Sequence, residues 1–271
     1  MMILGALFIP ALAHAEEDAY QRVMNTKTLR CGYFAWPPWV QKDPNTNKIS
    51  GLNYDVVEAI GKNLGIKIEW AAEIGLGEVV QSLNSGKSDM ICSSLWPDPA
   101  RAFHLTLTLP IAFSAATAYA RADDHRFDGD LSKANSKDIK VSVIDGDLTQ
   151  HLAEEKFPEA QRIALPQTAS GSEMIMQVTT KKADIATIEN SIVNDFAKTN
   201  PGKIRKVSNV APIRIYGEHF ALKQGEYQLR DMINVAIEQL TNDGVIDELN
   251  KKYAKKYDTS IGSPLRIKMA E

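Results

Sequence analysis

The chain has few of the features that would assign it quickly. Of its 271 residues only two are cysteine, Cys31 and Cys92, too few for a scaffold built on disulfides and without the spacing of a metal site. Two buried thiols within strands is the favoured reading, a single bridge the alternative. There is no excess of basic charge: 31 Lys and Arg stand against 34 Asp and Glu, a formal net charge of −3, and no basic stripe marks a nucleic-acid partner. The sequence holds no GxSxG, HExxH, phosphate-binding loop or GxGxxG, and its five histidines are scattered. This silence favours binding over catalysis and gives no reason to expect a cofactor or metal.

Long apolar runs are also missing, except at the start. Residues 1–15, MMILGALFIPALAHA, carry no Lys, Arg, Asp or Glu and end in a small-x-small triplet. That pattern fits a secretory signal with cleavage before Glu16, although a basic segment at its head is lacking. The run is shorter than the roughly 18 residues needed to span a bilayer.

What is present is an alternation of short apolar runs with helical periods. Strands are predicted over 29–34, 66–70 and 89–92, with helices over 54–64 and 78–83 between them. The order then restarts: strands over 139–144, 162–165 and 184–188 enclose helices over 148–157 and 170–180. Extended stretches over 114–121 and 213–222 join the two units, and a helical pattern over 227–257 breaks at Gly244. This is an α/β chain with two lobes, each a mostly parallel sheet with flanking helices, and a cleft between them. Lobe 1 is expected over 24–118 and 217–257, lobe 2 over 119–216, and a loose tail over 258–271.

In open α/β sheets ligands bind beyond the carboxyl ends of strands. That rule selects the exits after residues 34, 92, 144 and 188. Ser93 and Ser94 can offer hydroxyls there, or simply satisfy a strand end. Asp98-Pro99 reads as a helix start, which places Arg101 in a first turn where the helix dipole disfavours a cation. Either a ligand carboxylate or a neighbouring acid would explain it. Trp36 and Trp96 stand on exit loops as ring walls for a ligand, whereas Trp39 reads as an anchor packed on Pro37 and Pro38. Asp147 with Gln150 has capping-box spacing at the next exit, followed by Leu148. Glu189 ends an apolar strand, as counter-ion for an ammonium group or as another cap.

Six segments in order, LRCGYFAWPPW, GLNYDVVEAIGKNLG, LNSGKSDMICSS with Arg101, VIDGDLTQHLAEEKFP, KKADIATIE and LRDMINVAIEQLTNDGVIDELNKKY, resemble the periplasmic solute-binding proteins of polar amino-acid ABC transporters. The resemblance covers about residues 27 to 257. It implies the type II two-lobed fold, capture of an amino acid or related amine-bearing carboxylate by hinge closure, and an inner-membrane permease as partner of a monomeric periplasmic protein. It also implies roles: Trp36 against the ligand, Ser93 and Ser94 as the polar pair, Arg101 gripping a carboxylate and Glu189 receiving an ammonium. The chain departs from the pattern at Trp96 and Asp98, where small hydroxyl residues are usual, and at Asp147-Leu148, where the family has a Thr pair.

If Asp98, Asp147 and Glu189 all face Arg101, the cleft has excess negative charge and calls for a cationic nitrogen on the ligand. The rival implied by the same fold is a cyclohexadienyl-dehydratase-like enzyme with Glu189 as its acid. A docking subunit of a periplasmic oxidoreductase is a third reading.

Overall fold

The computed structural model describes residues 18–257 and 259–265. The apolar segment read as a signal lies outside them. The first part of the chain runs α1 (Ala19–Thr26), β1 (Thr28–Tyr33), β2 (Gln41–Lys42), β3 (Ile49–Ser50), α2 (Leu52–Leu64), β4 (Lys67–Glu73), α3 (Val79–Asn84), β5 (Met90–Leu95), α4 (Pro99–Ala102) and β6 (Leu105–Leu107). Then come β7 (Ala112–Arg121), β8 (Lys140–Ile144), α5 (Leu148–Lys156), β9 (Gln161–Leu165), α6 (Gly171–Thr179), β10 (Ile185–Glu189), α7 (Asn190–Thr199), β11 (Ile204–Lys206), β12 (Arg214–Lys223), α8 (Tyr227–Asn242) and α9 (Val245–Lys256).

Apolar periodicity explains most of these elements. In α2 the buried positions Leu52, Val56, Val57 and Ile60 recur at helical spacing, and Gly65 ends the helix in a left-handed conformation (φ 64°) open to glycine. In α8, Leu229, Ile233, Ala236, Ile237 and Leu240 form the buried face. Each large side chain so buried contributes roughly 1.5–3 kcal/mol.

The main sheet has the order β4-β1-β5-β12-β7-β10-β8-β9. Its flanks are parallel: β1 pairs with β4 and β5, and β8 with β9 and β10. The middle is antiparallel, because β12 runs against both β5 and β7, and β7 against β10. The two expected joining stretches are therefore β7 and β12, paired with each other from Arg214↔Ala116 to Glu218↔Ala112.

Buried side chains cluster on either side of this pair. One set gathers around Leu29, Val56, Met90, Phe220 and Ile233, with Phe34, Ile91 and Leu105 beside it. The other gathers around Val141, Ala153 and Phe157, and around Ile144, Met174 and Ile188. A small cluster of Trp96, Ala116, Leu148, Leu152 and Tyr216 draws on both.

Two expectations are corrected here. Cys31 and Cys92 are joined in a disulfide, not free: β1 and β5 are neighbours, and the two Cα atoms lie 5.5 Å apart. The tail is also not loose where it is described. Gly262 pairs with Phe113 at 2.7 and 2.8 Å, and Asn250 donates to Ser263 Oγ at 3.2 Å.

Candidate functional site

The carboxyl ends of β1, β5, β8 and β10 converge on a cavity of about 50 Å³. The sheet order reverses beside β1 and beside β8, since the strands that follow each in the chain flank it on opposite sides, β4 and β5 about β1 and β9 and β10 about β8. The exit loops meet at those reversals.

From β1 the chain enters a tight loop in which Trp36 N–H donates to Val40 O (2.9 Å) and Trp39 N–H to Trp36 O (2.9 Å). This turns the Trp36 indole toward β10, and its N–H donates to Glu189 Oε2 at 3.2 Å. Trp39 is buried in the core, as its anchor role requires, yet it also lines the cavity. Its indole N–H has no hydrogen-bond partner among the described residues.

At the end of β5 successive side chains diverge. The Ser93 hydroxyl donates to Phe34 O (2.7 Å) and accepts from Phe34 N–H (2.9 Å), fully buried and away from the cavity wall. The Ser94 hydroxyl lines the cavity, donating to Glu218 Oε2 at 2.8 Å and accepting from Asn53 Nδ2 at 3.0 Å. The Trp96 indole N–H lies 2.7 Å from Ser114 Oγ and 2.8 Å from Glu218 Oε1, and its ring stacks on Tyr216 at 4.6 Å.

Asp98 precedes α4, and its carbonyl accepts from Ala102 N–H at 3.0 Å. Its carboxylate meets His151 Nδ1 of α5 at 3.0 Å, outside the cavity wall. So Ser93 and Asp98, both expected at the ligand, have structural partners instead. Arg101 and Asp147 do line the cavity and bind each other, Nη2 to Oδ2 at 3.0 Å. The acid that answers Arg101 thus comes from the opposite side, 46 residues along the chain.

Asp147 also caps α5, its Oδ1 accepting from Thr149 N–H at 3.0 Å. The expected return bond from Gln150 goes to Gly146 N–H, one residue earlier, at 2.9 Å. Gly146 holds φ 66°, the left-handed turn that admits this approach. Leu148 is buried against the cavity wall.

Glu189 stands at the N-cap position of α7 but makes no side-chain cap bond; it lines the cavity instead, 7% exposed. Glu218, absent from the sequence-based set, is 2% exposed on the same wall and accepts from Ser94, Trp96 and Ser114. Burial pushes the Glu189 carboxyl up to about 8, with the charge of Glu218 adding to the effect and the Trp36 N–H opposing it. Burial also raises Glu218, against its three donors.

The ionisable lining among the described residues is Arg101, Asp147, Glu189 and Glu218, one basic group against three acids. No group of His, Cys, Asp and Glu able to hold a metal occurs among the described residues. None of their helices is long and apolar enough to cross a membrane.

Two α/β halves joined by paired crossing strands, with a cavity of aromatic and acidic side chains at their strand exits, define a type II solute-binding protein. The chain matches the model of the bacterial extracellular solute-binding proteins, family 3, over residues 29–256, and belongs to that family. It is similar to a probable histidine-binding protein of Campylobacter jejuni, 24% identical over 93% of this chain and 96% of that one. It is also similar to a putative ABC transporter arginine-binding protein of Escherichia coli, 22% identical over 82% and 88% of the two chains. Among solved structures, an ancestral amino-acid-binding protein described as a precursor of cyclohexadienyl dehydratase superposes with a TM-score of 0.75. It is 23% identical, with 88% of this chain and 99% of that chain covered.

Proposed function

We propose that this chain is the periplasmic solute-binding component of an ABC uptake system, capturing an amino acid or related amine-bearing carboxylate. Two lobes, 24–118 with 217–257 and 119–216, close on the solute about β7 and β12, and the closed form is read by an inner-membrane permease. The observation that carries this reading is the excess of buried carboxylate in the cavity. Arg101 is matched by Asp147, and among the described residues no Lys, Arg or His pairs with Glu189 or Glu218. Burying unpaired charge is costly, so a cationic solute stabilises the closed form. The relatives named as histidine- and arginine-binding proteins support the same chemistry.

In this reading Trp36 and Trp96 flank the solute, Glu189 receives its ammonium group, and Ser94, Leu148 and Thr149 complete the wall. Ser93, Asp98 and Asp147 hold the surrounding loops. The test is a calorimetric panel of amino acids and amines, with native mass spectrometry of solute released from freshly purified protein. Tight binding of glutamate, with no affinity for any cationic or zwitterionic solute, would overturn the proposal.

Glu189, a buried acid of raised pKa, is also the group an enzyme on this fold would use as its acid. In the binding-protein reading, prephenate and arogenate yield no product. Turnover of either would establish the dehydratase reading instead.

A further inference from the structure

We propose that Glu218 is the seat of a second cationic nitrogen, so that the cavity takes a solute carrying two. This rests on the amine-binding reading above and narrows its solute class.

Glu218 is an acid in a strand whose neighbours Tyr216, Gly217, Phe220 and Ala221 are buried. Its two oxygens accept from Ser94 Oγ at 2.8 Å, Trp96 Nε1 at 2.8 Å and Ser114 Oγ at 2.5 Å. All three donors are neutral. They orient the carboxyl group at the cavity wall and bring no positive charge to it. Among the described residues no Lys, Arg or His donates to Glu218 or Glu189. Arg101 faces Asp147, and the adjacent His219 turns its Nδ1 to Thr108 O at 2.7 Å. Burial pulls the His219 pKa down, which keeps that ring neutral.

A bracing role for Glu218 would be met as well by glutamine, which has the same shape and no charge to bury. A solute with one ammonium can pair with only one of the two acids as it ionises; a dication pairs with both. The Trp39 indole N–H points independently to a solute. It is 2% exposed, lines the same cavity and lacks an acceptor among the described residues. A solute oxygen would supply one, which favours a basic amino acid over a plain diamine as the source of the two nitrogens.

The test uses four probes on the full chain by titration calorimetry: lysine and its one-nitrogen counterpart norleucine, cadaverine and its counterpart amylamine. The expected result is that the two-nitrogen member of each pair binds at least about thirtyfold more tightly, the scale of a buried hydrogen-bonded charge pair. Lysine exceeding cadaverine assigns the solute to the amino acids, and the reverse order assigns it to the diamines. In Glu218→Gln the advantage of the second nitrogen falls to within about threefold.

Norleucine and amylamine binding within threefold of their counterparts in the parent protein would overturn the assignment, whether or not the variant folds. So would a Glu218→Gln protein, folded by circular dichroism, that keeps the full advantage. Binding by none of the four probes removes the amine-binding reading itself.

Discussion

Arg101 and Asp147 are 3.0 Å apart across the cavity, each from a different half of the molecule and each about four-fifths buried or more. The arginine that the family resemblance assigns to a solute carboxylate is thus already paired. Asp147→Asn keeps the cap on α5, since asparagine caps as well as aspartate, and removes the charge that holds Arg101. Loss of the largely buried ion pair should lower solute-free stability by roughly 1–3 kcal/mol. The affinity for lysine relative to cadaverine should rise roughly tenfold, as Arg101 becomes free to grip a carboxylate. Calorimetry with the two solutes checks this, and an unchanged ratio counts against any carboxylate contact by Arg101.

The raised acids give a pH dependence of definite sign. Glu189 holds its proton up to about 8 in the folded chain and releases it near the ordinary carboxylate range when unfolded. Between those limits the folded state binds more protons, so solute-free stability falls as pH rises from about 5 to 8. Binding of a cation requires the ionised acid, so affinity should rise over the same window with proton release. Titrations in buffers of different ionisation enthalpy would measure that release. Affinity that declines toward pH 8 would contradict the assignment.

The bridge between Cys31 and Cys92 closes a loop with a sequence separation of 61. On loop entropy alone its removal costs roughly 4 kcal/mol. Replacing both cysteines with alanine should lower the midpoint of denaturant unfolding accordingly, and adding a reductant to the parent protein should have the same effect.

Ser93 and Ser94 adjoin in sequence and differ in task. Ser93→Ala orphans the Phe34 N–H in a fully buried site and should cost about 1–3 kcal/mol of stability with solute affinity within twofold. Ser94→Ala removes one donor from Glu218 and the acceptor of the buried Asn53 Nδ2, so it should shift the affinity for amines as well as costing about 1–3 kcal/mol of stability. Reversal of the two effects on affinity would sink this division of roles.

The elements were legible because apolar residues repeat at the periods of helix and strand, as in α2 and α8. The strand-exit rule then located Trp36, Ser94, Trp96, Arg101, Asp147, Leu148 and Glu189 at one cavity. What it lacked was partners distant in sequence. Asp98 finds His151 of α5, and Arg101 finds Asp147, across gaps no local spacing encodes. The Cys31–Cys92 bond depended on β1 lying next to β5. Glu218 left one sign, an acid inside the extended stretch 213–222 with apolar residues around it, but it lies mid-strand, where the exit rule does not look.

That position has a mechanical meaning. Glu218 belongs to β12, one of the two strands that carry the chain between halves. A twist of β12 turns the Glu218 carboxylate relative to Trp36 and Glu189. In the proposed closure about β7 and β12, a charge drawn to that carboxylate would exert torque on the joint itself. Cargo detection and movement would then share one length of backbone, with no relay of side chains to carry the signal from one to the other.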